Sequence, residues 1–249
     1  MTRRTPFLLA AGLLTVTATG CALHTSSGVR NEERLFPHSA PGLVIEAAGT
    51  RVRLEPGTAG TVQVKRTLKG TPAKEGNASW SMRDGRLKVS VTCSGIVLDN
   101  CESHHTIMVP PGVTIEVGSD QNVSAVRLDQ PLKIRAGDGD VHTRALSGPL
   151  DVVTTAGRVD MEAIRSPKVT ARSTDGKVNL GFAAPPTEVE AVSRSGTVNV
   201  VLPKTADTYR VSVSSGSGQA TARVPRSRDA ARSLVARSTD GNVRVRHAT

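Results

Sequence analysis

Cys93 and Cys101 flank seven residues that include Gly95 and Asp99-Asn100, and His104-His105 follows closely. Thiols and imidazoles this near one another suggest either a disulfide or a metal centre. The spacing matches no zinc pattern, and in an oxidising compartment, where the N-terminal residues considered below direct the chain, a disulfide forms and persists. A bridged loop between two strands is therefore expected, and no metal site. His104 and His105 have the pKa range for acid–base work. No triad partner stands near them, so a solvated loop pair is expected. Asp138-Gly139-Asp140 raises the calcium question. An EF-hand loop counted from Asp138 needs Glu at its twelfth position, which here is Pro149. Asp138, Asp140, Asp175 and Asp240 read instead as turn residues that bond nearby backbone N–H groups. Glu188 and Glu190 alternate onto one strand face. Cleavage of a polysaccharide needs such a carboxylate pair, but two acids on one polar face are also ordinary.

The remaining chemistry is anion binding. Residues 204–249 hold nine Lys and Arg against Asp207, Asp229 and Asp240, a net +6. The candidate anion-binding residues are Arg223, Arg226, Arg228, Arg232, Arg237, Arg244 and Arg246, since guanidinium forks suit phosphates and carboxylates. Anionic wall polymers and lipid head groups are the expected partners. Nucleic acid is not, because stacking aromatics are missing. Aromatics make up 2% of the 249 residues, whereas a pocket-bearing enzyme of this size usually walls its site with them. No Gly-x-Ser-x-Gly elbow, Walker loop or His-Glu-x-x-His occurs. The expectation is a non-enzyme without a cofactor, of open oligomeric state.

The N-terminus bears on where this chemistry takes place. Arg3-Arg4 precedes an apolar stretch from Phe7 to Val16, then Ala18-Thr19-Gly20-Cys21. The stretch is too short to span a bilayer and has the layout of a secretory leader. Its small-small-Cys ending resembles a bacterial lipobox, although Ala18 stands where Leu is preferred. The resemblance implies residues 1–20 as a lipoprotein signal peptide and lipid attachment at Cys21. The protein would then be exported and held by a membrane lipid anchor on the extracytoplasmic face. Residues 21–40 lack apolar periodicity and read as a flexible spacer.

From Leu43 onward the elements are strands. Val52 and Leu54, Val62 and Val64, then Leu87, Val89 and Val91 each alternate with polar residues. The only helical stretch suggested is a turn or two over 229–234, too short to stand alone. The second half repeats: strand, polar turn ending in Gly, strand. The turn glycines are Gly139, Gly157, Gly176, Gly196, Gly218 and Gly241, spaced 18, 19, 20, 22 and 23 residues apart, and Gln121 fits the same slot before Gly139. Ser-Thr-Asp-Gly recurs at 173–176 and 238–241. Such a period marks stacked repeats, in which each valine covers the next. The predicted fold is all-β, a right-handed parallel β-helix or β-solenoid of about seven coils of 18–23 residues. The alternative is an antiparallel sandwich or meander, since Asp-Gly is also a hairpin signal. Glycine recurs because corners need positive φ or leave no room for a Cβ.

Leu43-Val44-Ile45-Glu46-Ala47-Ala48-Gly49, the run Val109 to Val117, and the recurrent Ser-x-Asp/Ser-Gly-x-Val turns resemble an adhesin-like family of bacterial β-strand-repeat proteins, a domain of unknown function. The resemblance covers 41–249. It implies a β-helical fold, surface display and no catalytic residue. The expected function is a surface-anchored binding or structural module of unknown ligand. The alternatives are an enzyme acting on envelope polysaccharide and an envelope-stress or signalling partner.

Overall fold

The computed structural model describes residues 28–93 and 101–249. Cys21 and residues 1–20 lie outside the described residues. The first part of the chain forms β1 (Val29–Pro37), β2 (Gly42–Ala48), β3 (Arg51–Pro56), β4 (Thr61–Gly70), β5 (Ala78–Arg83), β6 (Arg86–Val91) and β7 (Cys101–Val109). Strand pairs then follow in regular succession: β8 (Thr114–Ser119) with β9 (Val123–Val126), β10 (Leu132–Ala136) with β11 (Val141–Arg144), β12 (Leu150–Thr154) with β13 (Val159–Ile164), β14 (Lys168–Ser173) with β15 (Val178–Phe182), and β16 (Glu188–Ser193) with β17 (Val198–Leu202). The chain ends with β18 (Tyr209–Ser215), β19 (Ala220–Arg223), β20 (Arg232–Ser238) and β21 (Val243–His247).

Each pair is one rung. Its first strand joins one sheet and its second strand joins the other, and successive rungs pair in parallel. The parallel ladders exclude the antiparallel sandwich. The core lies between the sheets as columns of like residues. One column runs Leu43, Ile115, Leu132, Leu150, Val169, Val189, Leu234 through seven neighbouring strands, all of them buried. Alternation along each strand puts one face inward, and each stacked aliphatic contributes roughly 1.5–3 kcal/mol by leaving water.

All seven sequence-marked turns are rung corners. Two further rungs precede them, β2–β3 and β6–β7. Spatial order departs from chain order at both ends. The β6–β7 rung lies outside β2–β3, and β20–β21 inserts between β16–β17 and β18–β19. This swap falls where the two longest spacings lie, 22 and 23 residues, because the chain passes over one rung position and then returns.

The corner glycines settle the choice between two causes. Those at 139, 157, 176, 196, 218 and 241 are not among the positive-φ residues. Space is what they need: a Cβ on Gly157, Gly176 or Gly196 would stand 1.9–2.1 Å from the carbonyl oxygen of the preceding corner glycine. A buried hydroxyl ladder locks the same corners. Ser193 Oγ donates to Gly176 O and accepts from Gly196 N, both at 2.8 Å. Ser173 does the same between Gly157 and Gly176, and Thr154 between Gly137 and Gly157. The Ser-x-x-Gly phrase is thus one hydrogen-bonded unit repeated along the stack. Ser193→Ala leaves a buried N–H and a buried carbonyl without their partner. The expected loss is about 2 kcal/mol, read as a lower urea midpoint with an unchanged m-value.

Three expectations need correction. The spacer is not unstructured up to residue 40, because Val29–Pro37 pairs antiparallel with β4 along its whole length. As an edge strand it buries only Phe36, so it shows no apolar alternation. Residues 229–234 form no helix: Arg232–Ser238 is β20, seated between two strands that supply its hydrogen bonds. His104 and His105 are not a loop pair. Both lie in β7 between β3 and β4, with His105 fully buried.

Cys93 and Cys101 are joined by a disulfide with Cα atoms 5.9 Å apart, bridging the exit of β6 and the start of β7. The antiparallel strands β1, β4 and β5 close this end of the stack. Two of the chain's few aromatics work here. Phe36 and Trp80 meet edge to face at 6.5 Å, and the Arg66 guanidinium lies 3.9 Å above the Trp80 ring while pairing with Glu32.

Candidate functional site

The parallel register decides which outward side chains become neighbours. On the sheet containing β13, β15, β17, β21 and β19, one outward row reads Asp160, Asn179, Asn199, Arg244, Thr221. Beside it, Glu162 and Gly181 lead on to Val201, Arg246 and Arg223. Arg223 and Arg246 are direct partners across two strands, roughly 5 Å apart at the backbone. Arg244 lies on the same face of β21 as Arg246. None of the three arginines forms an ion pair among the described residues.

A trough of about 460 Å³ runs between the acids and the arginines, with Gly181 and Val201 in its floor. Two sequence features open it. Gly181 places no side chain on the outer face. Opposite it, the register of β13 slips between Met161 and Ile164, a bulge in which Ala163 takes φ 51°. Bulges of this kind re-aim side chains at the margins of sites. The amides are held in one direction: Asn179 Nδ2 donates to Asp160 Oδ1 at 2.6 Å, and Asn199 Nδ2 donates to Asn179 Oδ1 at 2.8 Å. Asp160 also faces Arg158 Nη1 at 3.6 Å. Glu162, in contrast, is exposed and has no ion-pair partner among the described residues.

The seven candidate arginines do not form one face. Arg223, Arg244 and Arg246 share the sheet just described. Arg237 is exposed on β20 in the opposite sheet. Arg226 and Arg228, with Arg210, line a second depression of about 560 Å³ beside β18. Arg232 is structural: it pairs with Asp207 at 3.0 Å and donates to the carbonyls of Pro185 and Pro186. The reason is alternation together with the return of the chain through β20, which scatters neighbours in sequence around the stack.

Glu188 and Glu190 do share an outer face, and each has a cation: Lys168 at 2.9 Å and Arg172 at 2.8 Å. The turn acids bond across rungs rather than within their own turns. Asp140 Oδ1 accepts from Arg158 N at 2.7 Å, and Asp175 Oδ1 from Ser195 Oγ at 3.1 Å. The Asn ladder and Glu162 were not singled out from sequence. The available signal was Val-Asn following the corner glycine in two successive repeats, Val178-Asn179 and Val198-Asn199.

A two-sheet parallel β-solenoid with a charged trough on one outer face defines the class of this protein. The chain belongs to the Toastrack DUF4097 family, whose model matches residues 81–246. Among solved structures, a candidate adhesin from Bacteroides fragilis is similar with a TM-score of 0.53 at 13% identity, over 88% of this chain and 97% of that one. A candidate adhesin from Parabacteroides merdae gives 0.48 at 12% identity over 92% and 100%. A candidate cell adhesion protein from Clostridium sporogenes gives 0.42 at 14% over 88% and 100%. At these identities the likeness is one of fold. A comparison with curated proteins found no match. No helix among the described residues is long and apolar enough to cross a membrane.

Proposed function

We propose that this protein is an exported lipoprotein, tethered through Cys21, whose solenoid is an adhesin-like binding module for anionic envelope polymers or lipid head groups. The observation that carries the reading is the cluster of Arg223, Arg244 and Arg246, three guanidinium groups on one face without counter-ions among the described residues. Like charges on adjacent strands repel, and an anion laid across them relieves that repulsion. The adhesin names of structurally similar proteins fit surface display. The alternative of a polysaccharide-cleaving enzyme is disfavoured because Glu188 and Glu190 each neutralise a neighbouring cation on an open sheet.

The test is co-sedimentation with vesicles of anionic phospholipid at low and high salt. Retention should fall steeply with salt. Changing all three arginines to glutamine should weaken it roughly 100-fold, at about 1 kcal/mol for each cation near an anionic surface. Arg237→Gln, on the other sheet, should have the smaller effect. Salt-insensitive retention, or none, would remove the basic-face reading. Mass spectrometry of the mature N-terminus tests the anchor: a mature chain that does not begin at a lipid-modified Cys21 would overturn it.

A further inference from the structure

A surface built only to hold polyanions has no use for an open carboxylate beside its arginines. Glu162 is such a carboxylate. It lines the same trough as Arg244 and Arg246, and three strand spacings separate β13 from β21, roughly 14 Å. Arg144 is its register partner on β11, yet no ion pair joins them among the described residues. Asp160, the other acid in the trough, is already engaged by Asn179 and Arg158. The floor between the two charged ends is kept low by Gly181. A methyl group there would meet nothing nearer than the Met161 carbonyl oxygen at 3.5 Å, so packing does not require glycine at this position. The corner glycines, by contrast, are required by packing. The amide chain along one wall is polarised by Asp160, which leaves Asn199 Oδ1 as its open acceptor next to Arg244.

We propose that this trough is a binding site for a short, extended zwitterionic ligand, with an ammonium group at Glu162 and a carboxylate or phosphate at Arg244 and Arg246. The Asn179–Asn199 wall would supply acceptors and donors to polar groups in between. The proposal rests on the reading of the arginines as anion-binding and adds a cation requirement to it. Its ligand class is a chain with a free amine and an anion roughly 10–14 Å apart, the reach of about four extended residues. A trough of this size is within the range of small-ligand sites.

Tetraglycine is the probe, titrated while the backbone amide NMR signals of the described β-solenoid are followed in the full mature chain. The expected result is saturable shifts at Gly181, Asn199 and Arg246. N-acetyl-tetraglycine and diglycine should each bind at least about threefold more weakly, one lacking the cation and the other the length. Glu162→Gln should weaken tetraglycine roughly threefold to fivefold without lowering retention on anionic vesicles, because it removes a repelling charge. Arg246→Gln should weaken both. Gly181→Val should abolish the tetraglycine shifts and spare the vesicles. The proposal is overturned if tetraglycine moves no amide in the trough, if the acetylated peptide binds as well as the free one, or if Glu162→Gln has no effect on it. Loss of vesicle retention in the unmodified protein, with tetraglycine still bound, would sink the polyanion reading alone.

Discussion

Gly176→Ala is expected to be strongly destabilising and to remove a large share of the stack's stability. The added Cβ would stand 1.9 Å from Gly157 O, 2.6 Å from Gly157 C and 2.7 Å from Ser173 Oγ. Two of these three atoms are backbone of the neighbouring rung and cannot swing aside. Relief requires the rungs to part, and parting them strains the hydrogen bonds that cross between rungs on either side of this corner, Ser173 Oγ to Gly157 O and Ser193 Oγ to Gly176 O. Overpacking in a rigid core costs about 1–3 kcal/mol, and losing two buried hydrogen bonds adds about as much again. A loss of about 2–6 kcal/mol is therefore expected, against a total stability of roughly 5–15 kcal/mol. The alanine itself suits the backbone, so the effect is purely steric. Gly181→Ala is the matched control. Its Cβ reaches nothing closer than 3.5 Å, and its stability should change by less than about 1 kcal/mol. Denaturant melts of the two variants check both statements, and equal losses would show that the corner contact is not the cause. Gly218, in the last rung, meets Gly241 O at 2.8 Å and should suffer less.

That contrast shows how far the fold could be read before the structure. The corners were legible because the hydroxyl and the glycine are three residues apart and must recur wherever rungs stack: Ser173 with Gly176, Ser193 with Gly196, Ser238 with Gly241. The rung order was not legible. Strands β20 and β18 have the same inward pattern, and nothing local says that Leu234 lies against Val189 rather than Val211 doing so. β1 was missed because a strand with one buried residue carries no periodic signal. The site was legible only in its charges. Arg244 and Arg246 were visible as cations, but their neighbours Asn199 and Val201 lie 45 residues away in sequence. Glu162 drew no notice because its role depends on a register slip and on a missing side chain at 181.

The two ends of the stack differ in a way that bears on the site. The end formed by β18 and β19 has free sheet edges, small inward residues such as Ala220 and Ala222, and a Tyr209 hydroxyl buried without a hydrogen-bond partner. The other end concentrates the ionisable residues of the interior. Arg66 and His105 are both buried there and face each other across β4 and β7. The trough lies between these ends, on strands whose inward residues are apolar throughout. Acid should therefore affect the cap before it affects the site.

A second large effect follows from His105. Its Nδ1 is 2.8 Å from Thr50 Oγ1, and its Nε2 is buried without a partner. Burial, with Arg66 and then His104 adding like charge, pushes the imidazole pKa down to about 4 from an ordinary 6.5. His104 moves the same way, through burial first and then Arg53 and Arg51. A base whose folded pKa is depressed takes up its proton more readily when unfolded, so stability falls as pH drops below about 6.5 and levels off only below about 4. For His105 alone the difference amounts to about 3 kcal/mol at 1.36 kcal/mol per pKa unit. Above pH 7 the term vanishes. Carboxylates add their own losses at the acid end; Glu46, held low chiefly by Lys88, acts below about pH 4.5. Comparison with His105→Gln separates the two contributions. Between pH 7 and 5 the variant's urea midpoint should fall less than that of the unchanged protein, keeping only the share due to His104, and parallel curves would refute the assignment. Hydrogen exchange at pH 5 should show β4 and β7 opening while the amides of β15 and β17 remain protected. The charged trough would thus keep its shape in acid on a protein whose far end has begun to loosen.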